Sequence, residues 1–298
     1  MSRTASCPGN TGLIVGPILG VLGLCIPAVA AAPAAPPKPD KIDVQIAGLK
    51  QAGFPLVDFH VHLKGGLTLE EAVALSRRSG IRYGIAANCG LKFPITDDRG
   101  IEQFVASLKG QPVFVGMQAE GREWPRLFSK EAIAKFDYVF TDAMTIVDHR
   151  GRRARLWIKE EVEIPDKQAF MELLVRAIVG ILDDEPIDIY VNPTYLPDVL
   201  AAEYDQLWTA ARVTKVIEAA ARNGVAIEIS TRLRLPKPAF IKQAKQAGVK
   251  FTFGSNNVDR NFGRSEYGLA MIEECGLTPQ DMWMPKPDGQ KPVQRRKP

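Results

Sequence analysis

Two histidines one residue apart are the strongest functional clue in this sequence. His60 and His62 are two of only three histidines in the chain, and they end a short apolar run that begins at Leu56. Alternate side chains of a strand share a face, so the two imidazoles can bind one metal ion together. The alternative is a pair that decorates the solvated face of an edge strand. A near-continuous apolar run is typical of a strand buried on both faces, so the pattern favours a site.

The elements that must position this pair follow from the alternation of short apolar runs with longer segments of helical period. Helices are expected at Asp166 to Leu182 and at Tyr204 to Arg222, and Gly224 ends the second one. Strand and helix in alternation predict a parallel sheet with right-handed crossovers. The expected strands are Leu56 to His60, Tyr83 to Ala87, Val113 to Gln118, Tyr138 to Phe140, Ile187 to Val191, Ala226 to Ile229 and Lys250 to Phe253.

Polar residues stand at the carboxyl ends of these apolar runs. Barrel enzymes bring their catalytic residues together at that rim, whereas an open sheet gathers them at one crevice. Because six different strands contribute, we predict an α/β barrel with one functional mouth. The residues concerned are His60 and His62, Asn88 and Cys89, Glu120, Asp142, Asn192 and Asn256.

Several short motifs along the chain follow the order of the expected strands. They include Asp58-Phe59-His60-Val61-His62, Thr68-Leu69-Glu70-Glu71-Ala72, Gly116-Met117-Gln118-Ala119-Glu120 and Phe253-Gly254-Ser255-Asn256-Asn257. These motifs resemble those of the polymerase and histidinol phosphatase (PHP) family of metal-dependent phosphoesterases. The resemblance covers Val57 to about Met282 by strand order, and it implies a distorted seven-stranded (β/α)7 TIM-like barrel with divalent metals at its rim.

Most of the metal ligands that the resemblance implies are replaced in this chain. Asn88 and Cys89 stand where the family has Asp then His, Asn192 replaces a histidine, and Asn256 begins what would be a terminal Asp-x-His. A neutral amide hydrogen-bonds but hardly binds a metal, so a cluster of two or three ions is not expected.

The strong ligands that remain are His60, His62 and Glu120. We expect them to hold one divalent ion with an open position for water, as catalytic zinc sites do, and Cys89 or Asp142 is a candidate fourth ligand. A thiolate ligand would favour zinc, while oxygen ligands would leave manganese or iron open.

This set of residues predicts a metal-dependent, phosphoesterase-like hydrolase of a small polar or anionic molecule. Metal-bound water would be the nucleophile and Asp142 a proton acceptor. Lys64 and Arg122 follow the metal residues closely and would bind an anionic group. The side chains expected to contact the substrate through their amides are Asn88, Asn192 and Asn256.

Two other functions remain open from the sequence. A barrel that kept its shape and lost its chemistry would be a catalytically silent ligand-binding protein, for which amides lining a pocket are well suited. The amidohydrolase class also begins with His-x-His on the first strand of a barrel. That class normally has further histidines at strand ends and an Asp at the last strand, and neither is found here, so this alternative is the weaker one.

Both ends of the chain differ in composition from the body. Residues 1–30 predict a signal peptide, since Arg3 precedes an apolar stretch that ends in small residues, and residues 31–40 form an Ala/Pro-rich linker. Residues 285–298 hold four prolines and five Lys or Arg against one Asp, which predicts a disordered basic tail. We therefore expect an exported, periplasmic or extracellular barrel domain at 41–284, with no membrane span in the mature form.

Charge argues against a nucleic-acid partner for the body. The chain is +4 as a whole, the tail alone contributes +4 and Arg3 adds one, so residues 31–284 net −1. A nucleic-acid-binding body would carry a clustered basic excess.

Four other residues are given structural interpretations. Cys89 and Cys275 remain after removal of the signal peptide and are expected to be unpaired. His149 lies in a charged turn and is expected at the surface. Glu228 lies inside an apolar strand and needs a partner, for which Arg232 or Arg234 is expected.

Overall fold

The computed structural model describes residues 40–260, 263 and 265–295. The predicted signal peptide and the predicted linker up to residue 39 lie outside the described residues, as do residues 296–298 of the predicted tail. Within the described ranges, no helix is both long enough and apolar enough to cross a membrane.

Seven parallel strands close into a barrel, which confirms the predicted α/β TIM-like architecture. The barrel closes where Asp58 pairs with Phe253. All seven strands match the predicted ones to within a few residues. In their order around the barrel they are β1 (Val57–Val61), β2 (Arg82–Cys89), β3 (Phe114–Ala119), β4 (Tyr138–Thr141), β7 (Ile189–Tyr190), β8 (Ala226–Ser230) and β9 (Phe251–Gly254).

A short hairpin follows β4 outside the barrel. It is formed by β5 (Thr145–Val147) and β6 (Arg153–Arg155), which pair antiparallel. The sequence did not predict it, because three residues are too few for a clear alternating pattern.

Helices cover the outside of the barrel between successive strands. Those of the described residues are α1 (Lys41–Gln51), α2 (Leu69–Ser79), α3 (Asp98–Ser107), α4 (Trp124–Leu127), α5 (Lys130–Ile133), α6 (Lys167–Asp184), α7 (Asp198–Ala201), α8 (Tyr204–Leu207), α9 (Ala210–Asn223), α10 (Pro238–Gln246), α11 (Glu266–Glu274) and α12 (Pro292–Arg295).

The longest helix, α6, shows how the sequence sets these boundaries. The side chain of Asp166 accepts hydrogen bonds from the backbone N–H groups of Gln168 and Ala169, which fixes the start of the helix. Phe170, Leu174 and Ile178 recur at four-residue steps and are buried, so one face of the helix packs on the barrel. The predicted helix at Asp166 to Leu182 is thereby confirmed.

The predicted helix at Tyr204 to Arg222 is wrong at its start, because the chain breaks into α8 and α9. The Trp208 indole donates a 2.9 Å hydrogen bond to the carbonyl of Thr194, and Thr209 adopts an extended backbone before α9 begins. This tertiary contact overrides the helical period. The end is as predicted, since Gly224 closes α9 in the left-handed conformation with φ of 62°.

The amino-terminal end of the barrel interior is filled by packed aromatic rings. Phe59 meets Tyr138 edge to face at 5.0 Å and Trp283 at 5.3 Å. The Tyr138 hydroxyl donates a 2.6 Å hydrogen bond to the carbonyl of Phe59. A Cβ at Gly116 would lie 2.4 Å from this hydroxyl, so only glycine leaves room for the ring. This end of the barrel is a closed core.

The predicted disordered tail is wrong for residues 285–295, which pack on the body. Val293 in α12 is 3% exposed. The Lys291 ammonium donates hydrogen bonds to the carbonyls of Ala134 and Phe136, at 2.5 and 2.8 Å, and so satisfies backbone groups just after α5. The basic, proline-rich composition of the tail gave no indication that Val293 would be buried or that Lys291 would cap the end of a helix.

Cys89 and Cys275 are both buried and unpaired, as expected.

Candidate functional site

The two predicted histidines lie inside the carboxyl-terminal half of the barrel. The pairing of β1 with β2 changes register between Asp58 and Val61. This irregularity lets Phe59 and His60, adjacent in sequence, both face inward, since Phe59 packs on Tyr138 and the His60 ring lies 4.6 Å from Phe140. The His60 and His62 rings are 5.3 Å apart, so the pair predicted from their spacing does form.

His60 is fixed by a carboxylate from β8, which is separated from β1 only by β9. Its Nδ1 lies 2.6 Å from Oε1 of Glu228 on β8, and both side chains are about 1% exposed. The other oxygen of Glu228 accepts the backbone N–H of Asn192 at 2.8 Å. The Nε2 atom of His60 is buried and has no hydrogen-bond partner among the described residues. One ring nitrogen is therefore held while the other remains open.

A glycine makes this pairing possible. A Cβ at Gly254 would lie 1.8 Å from Oε1 of Glu228 and 2.8 Å from Cβ of His60. Any side chain at this position of β9 would force the carboxylate and the imidazole apart.

His62 is fixed by a backbone carbonyl. Its Nδ1 lies 3.0 Å from the carbonyl oxygen of Ala86, and since a carbonyl only accepts, Nδ1 carries the proton and Nε2 is the basic nitrogen. Burial, and then the neighbouring His60 and Lys64, hold the pKa of His62 well below its ordinary value. The ring is therefore neutral at pH 7.

Two carboxylates form the second part of the site, and each is held by one of the predicted amides. Asn88 donates a 2.8 Å hydrogen bond to Oε1 of Glu120, and Asn192 donates one of 2.8 Å to Oδ2 of Asp142. Asn256 in turn donates to the Asn192 side-chain oxygen at 3.2 Å. The structure thus brings all five residues together at the mouth, and the three amides orient side chains of the site.

The environment of the two carboxylates favours a bound proton. Burial, and then the negative charge of Asp142, raise the pKa of Glu120 to about 7. Burial also raises the pKa of Asp142, although its hydrogen bonds to Met144 and Asn192 oppose the shift. Near neutral pH this pair therefore exchanges a proton with its surroundings, which is the property of a general acid or base.

The two predicted anion-binding residues differ. Arg122 donates 2.8 Å hydrogen bonds to Oε1 of Glu185 and to the hydroxyl of Thr141, so part of its guanidinium is already used. Trp124 is fully buried and donates to the same Glu185, which makes it a packing residue. Lys64 is only partly enclosed, and burial, followed by the charge of Arg232, lowers its pKa. Lys64 is therefore more available than Arg122 to bind an anion, because the Arg122 guanidinium already bonds to Glu185 and Thr141.

The prediction of Cys89 as a metal ligand is wrong. Adjacent residues of a strand face opposite sides, and Asn88 takes the inward position, so the Cys89 thiol lies in the core between barrel and helices. Its Sγ is 3.6 Å from the carbonyl of Ala87, and burial raises its pKa to about 12. The buried thiol therefore packs in the core, away from the two imidazoles.

The predicted set of His60, His62, Glu120 and Cys89 does not form as one metal site. Among the described residues, no three His, Cys, Asp or Glu side chains are grouped closely enough to hold an ion. The two imidazoles alone do fit, because metal-binding histidines usually donate the other ring N–H to a carboxylate or a backbone carbonyl. Glu228 and Ala86 play these parts here.

Sequence reasoning gave Glu228 the wrong partner. The need for a partner was predicted correctly, but Arg232 donates to the carbonyl of Asn256 and Arg234 lies over the Tyr267 ring. Alternation along β8 does indicate that Glu228 faces inward, since Ala226, two residues earlier, belongs to the barrel interior. It does not indicate which residue Glu228 meets there. The expectation for His149 is confirmed, because it is exposed.

Comparison with known proteins supports the fold alone. No family model and no curated protein matches the chain. A histidinol phosphate phosphatase from Lactococcus lactis subsp. lactis, solved with zinc, L-histidinol and phosphate, is 16% identical with a TM-score of 0.53, over 76% of this chain and 95% of that chain. A deoxyribose phosphate aldolase from Aeropyrum pernix is 11% identical with a TM-score of 0.41, over 79% and 91%.

Proposed function

We propose that the protein is a PHP-like hydrolase that cleaves a phosphoester of a small polar or anionic molecule, with one divalent metal held by His60 and His62. The observation that carries the proposal is that each imidazole has its Nδ1 held by a hydrogen bond, to Glu228 and to Ala86 respectively. Both rings therefore present Nε2 as the metal-binding nitrogen. Water and substrate would complete the coordination.

Zinc and manganese both suit this proposal. Imidazole nitrogens suit zinc, while oxygen ligands from water and substrate are compatible with manganese. With Cys89 facing away, no thiolate favours zinc over manganese. The ion would supply a Lewis acid and a water of lowered pKa.

The residues of the chain itself would bind the anion and move the proton. Glu120 and Asp142 would take a proton from the attacking water and return one to the leaving group, and a pKa of about 7 for Glu120 supports this role. Asn88 and Asn192 keep the two carboxylates in place. Lys64 would bind the anionic group of the substrate, as would any guanidinium N–H of Arg122 that Glu185 and Thr141 leave free.

Surface histidine His149 offers a matched control for the test. We expect the purified full chain to bind one metal ion, measured by elemental mass spectrometry after equilibration with zinc or manganese. The His60→Ala variant should lose that ion, and hydrolysis of p-nitrophenyl phosphate should fall at least 100-fold, while His149→Ala keeps both. Equal metal content in the two variants would refute the proposal.

A silent ligand-binding protein is the second candidate, and one observation favours it. Three amides, of Asn88, Asn192 and Asn256, line the mouth where the resemblance implied charged or imidazole ligands. Stoichiometric metal with no turnover of phosphoesters or other esters would support this candidate. An amidohydrolase-type reaction would instead show as hydrolysis of amides.

We further propose that the protein is exported and that its signal peptide is removed near residue 30. Amino-terminal sequencing of the protein recovered from the periplasm or the medium tests this. A protein that stays in the cytoplasm with Met1 or Ser2 at its terminus would contradict it.

A further inference from the structure

A cavity of about 780 Å³ adjoins the carboxylates of the mouth. Glu120 and Asp142 line one end of it, and α4 and α5 on one side and α6 on the other form its walls. Cavities of this size bind ligands larger than the phosphate group alone. The histidine pair does not line it, so it is a groove beside the proposed site and continuous with its acid-base residues.

The floor of this groove is apolar. Gly180, near the carboxyl end of α6, also lines it, and a Cβ there would meet nothing within 4 Å. The helix surface is thus open to an occupant at that point. The apolar residues of the floor and walls include Ile133, Ile146, Leu173, Ala177, Ile181 and Val293.

The rim of the groove carries guanidinium groups that have no ion-pair partner among the described residues. Arg126, Arg153 and Arg176 line it, and none of the three forms an ion pair with a described residue. The acidic groups beyond those of the mouth and the paired Glu185 are Glu123 and Asp184. An apolar floor with unpaired guanidinium groups above it complements an amphipathic anion.

We propose that this groove binds the alcohol part of the substrate, and that the substrate is a small phosphate monoester whose alcohol part is apolar and elongated. The phosphate would lie at the end of the groove that Glu120 and Asp142 line, near Arg153, and the apolar part would extend over Gly180. The claim that the bound phosphate is hydrolysed rests on the proposed function. The claim that the groove binds this phosphate monoester does not depend on the proposed function.

Substitution at Gly180 tests the groove without disturbing the fold, because the added side chain enters open space and leucine favours helix more than glycine. The probes are octyl phosphate and methyl phosphate, titrated calorimetrically into the metal-free full chain. Gly180→Leu should weaken binding of octyl phosphate by about tenfold, as expected for excluding about two buried methylene groups. Methyl phosphate should bind both proteins alike.

Gly48→Leu is the matched control, since Gly48 is an exposed glycine inside α1 with equally open surroundings. It should leave both affinities unchanged. Arg153→Gln should weaken octyl phosphate severalfold and leave 1-octanol unaffected, while Arg77→Gln, an exposed cation on α2, should change neither.

The outcomes separate the two proposals. Equal binding of octyl phosphate by wild type, Gly180→Leu and Gly48→Leu overturns the groove, even if p-nitrophenyl phosphate is hydrolysed. A wild-type dimer that Gly180→Leu dissociates, without octyl phosphate binding, also overturns it in favour of a second copy. If Gly180→Leu weakens octyl phosphate binding but no phosphoester is hydrolysed, the result supports the groove as a binding site and contradicts the proposed function.

Discussion

At both ends of the barrel interior, a glycine on one strand makes room for a polar side chain from another strand, but the two contacts have different roles. At the amino-terminal end, Gly116 leaves room for Tyr138, whose hydroxyl bonds to a backbone carbonyl. At the carboxyl-terminal end, Gly254 leaves room for Glu228, whose carboxylate bonds to His60. In both, a glycine on one strand admits a polar side chain from another.

Each end keeps a buried nitrogen without a hydrogen-bond partner among the described residues, Nε1 of Trp283 and Nε2 of His60. The difference is that the indole N–H can only donate, whereas Nε2 of His60 can bind a metal ion. The Tyr138 hydroxyl has its partner and its ring is packed on all sides by Phe59, Phe140 and Trp283, so this contact only stabilises. The pairing of Glu228 leaves Nε2 of His60 buried and without a partner among the described residues. A buried, oriented and unpaired nitrogen is unfavourable for stability unless something binds it. The comparison therefore assigns stability to one end and binding to the other.

The largest expected effect comes from filling the two glycines. Gly116→Ala and Gly254→Ala should each lower the free energy of unfolding by about 3 kcal/mol, the upper range for overpacking a core, measured by chemical denaturation. Only Gly254→Ala should also abolish metal binding, because it displaces Glu228 and His60. If Gly116→Ala removes the metal just as completely while remaining folded, the division between the two ends is wrong.

A smaller change sharpens the comparison at the carboxyl end alone. Glu228→Gln keeps the shape of the side chain and removes the charge that orients His60. Metal affinity, measured by titration against a chelator, should fall about 10- to 100-fold, as is typical for such supporting residues. Glu161→Gln, which breaks a surface ion pair with Arg155, should leave metal affinity unchanged. Equal affinities in the two variants would contradict the role of Glu228.

The smallest effect is a dependence of stability on pH at the mouth. The pKa of Glu120 rises from 4.5 to about 7 on folding, so the folded state binds the carboxyl proton more tightly than the unfolded state does. The contribution of this carboxyl to the free energy of unfolding is therefore fully present below about pH 4.5 and is lost as the pH rises through about 7. Relative to wild type, Glu120→Gln should therefore gain roughly 1 kcal/mol between pH 4.5 and 8, solvent at the mouth screening part of the shift. Denaturation at both pH values measures it. A gain of equal size in Glu102→Gln, a surface carboxylate paired with Lys135, would show that the effect is not specific to the mouth.

The sequence predicted the barrel and the histidine pair well, because both depend on local periodicity. Apolar runs locate the strands, and a spacing of two places His60 and His62 on one face. The same rule, applied more strictly, excludes Cys89 once Asn88 is assigned to the mouth. The break before α9 and the packing of Val293 depend on single tertiary contacts, which composition does not reveal.

The partner of His60 could not be predicted in the same way. Glu228 is 168 residues away in sequence, and the two meet only because β9, which lies between β1 and β8, carries a glycine at the crossing point. The register of three strands decides this contact. Alternation gives the face of each side chain but not its height in the barrel.

The most direct test of the central claim is a crystal structure of the full chain equilibrated with zinc, with the ion located by its anomalous scattering. We predict one zinc ion about 2.0–2.1 Å from Nε2 of both His60 and His62, with the Glu228 contact intact. A zinc ion bound elsewhere, or one that is not coordinated by both His60 and His62, would contradict the account.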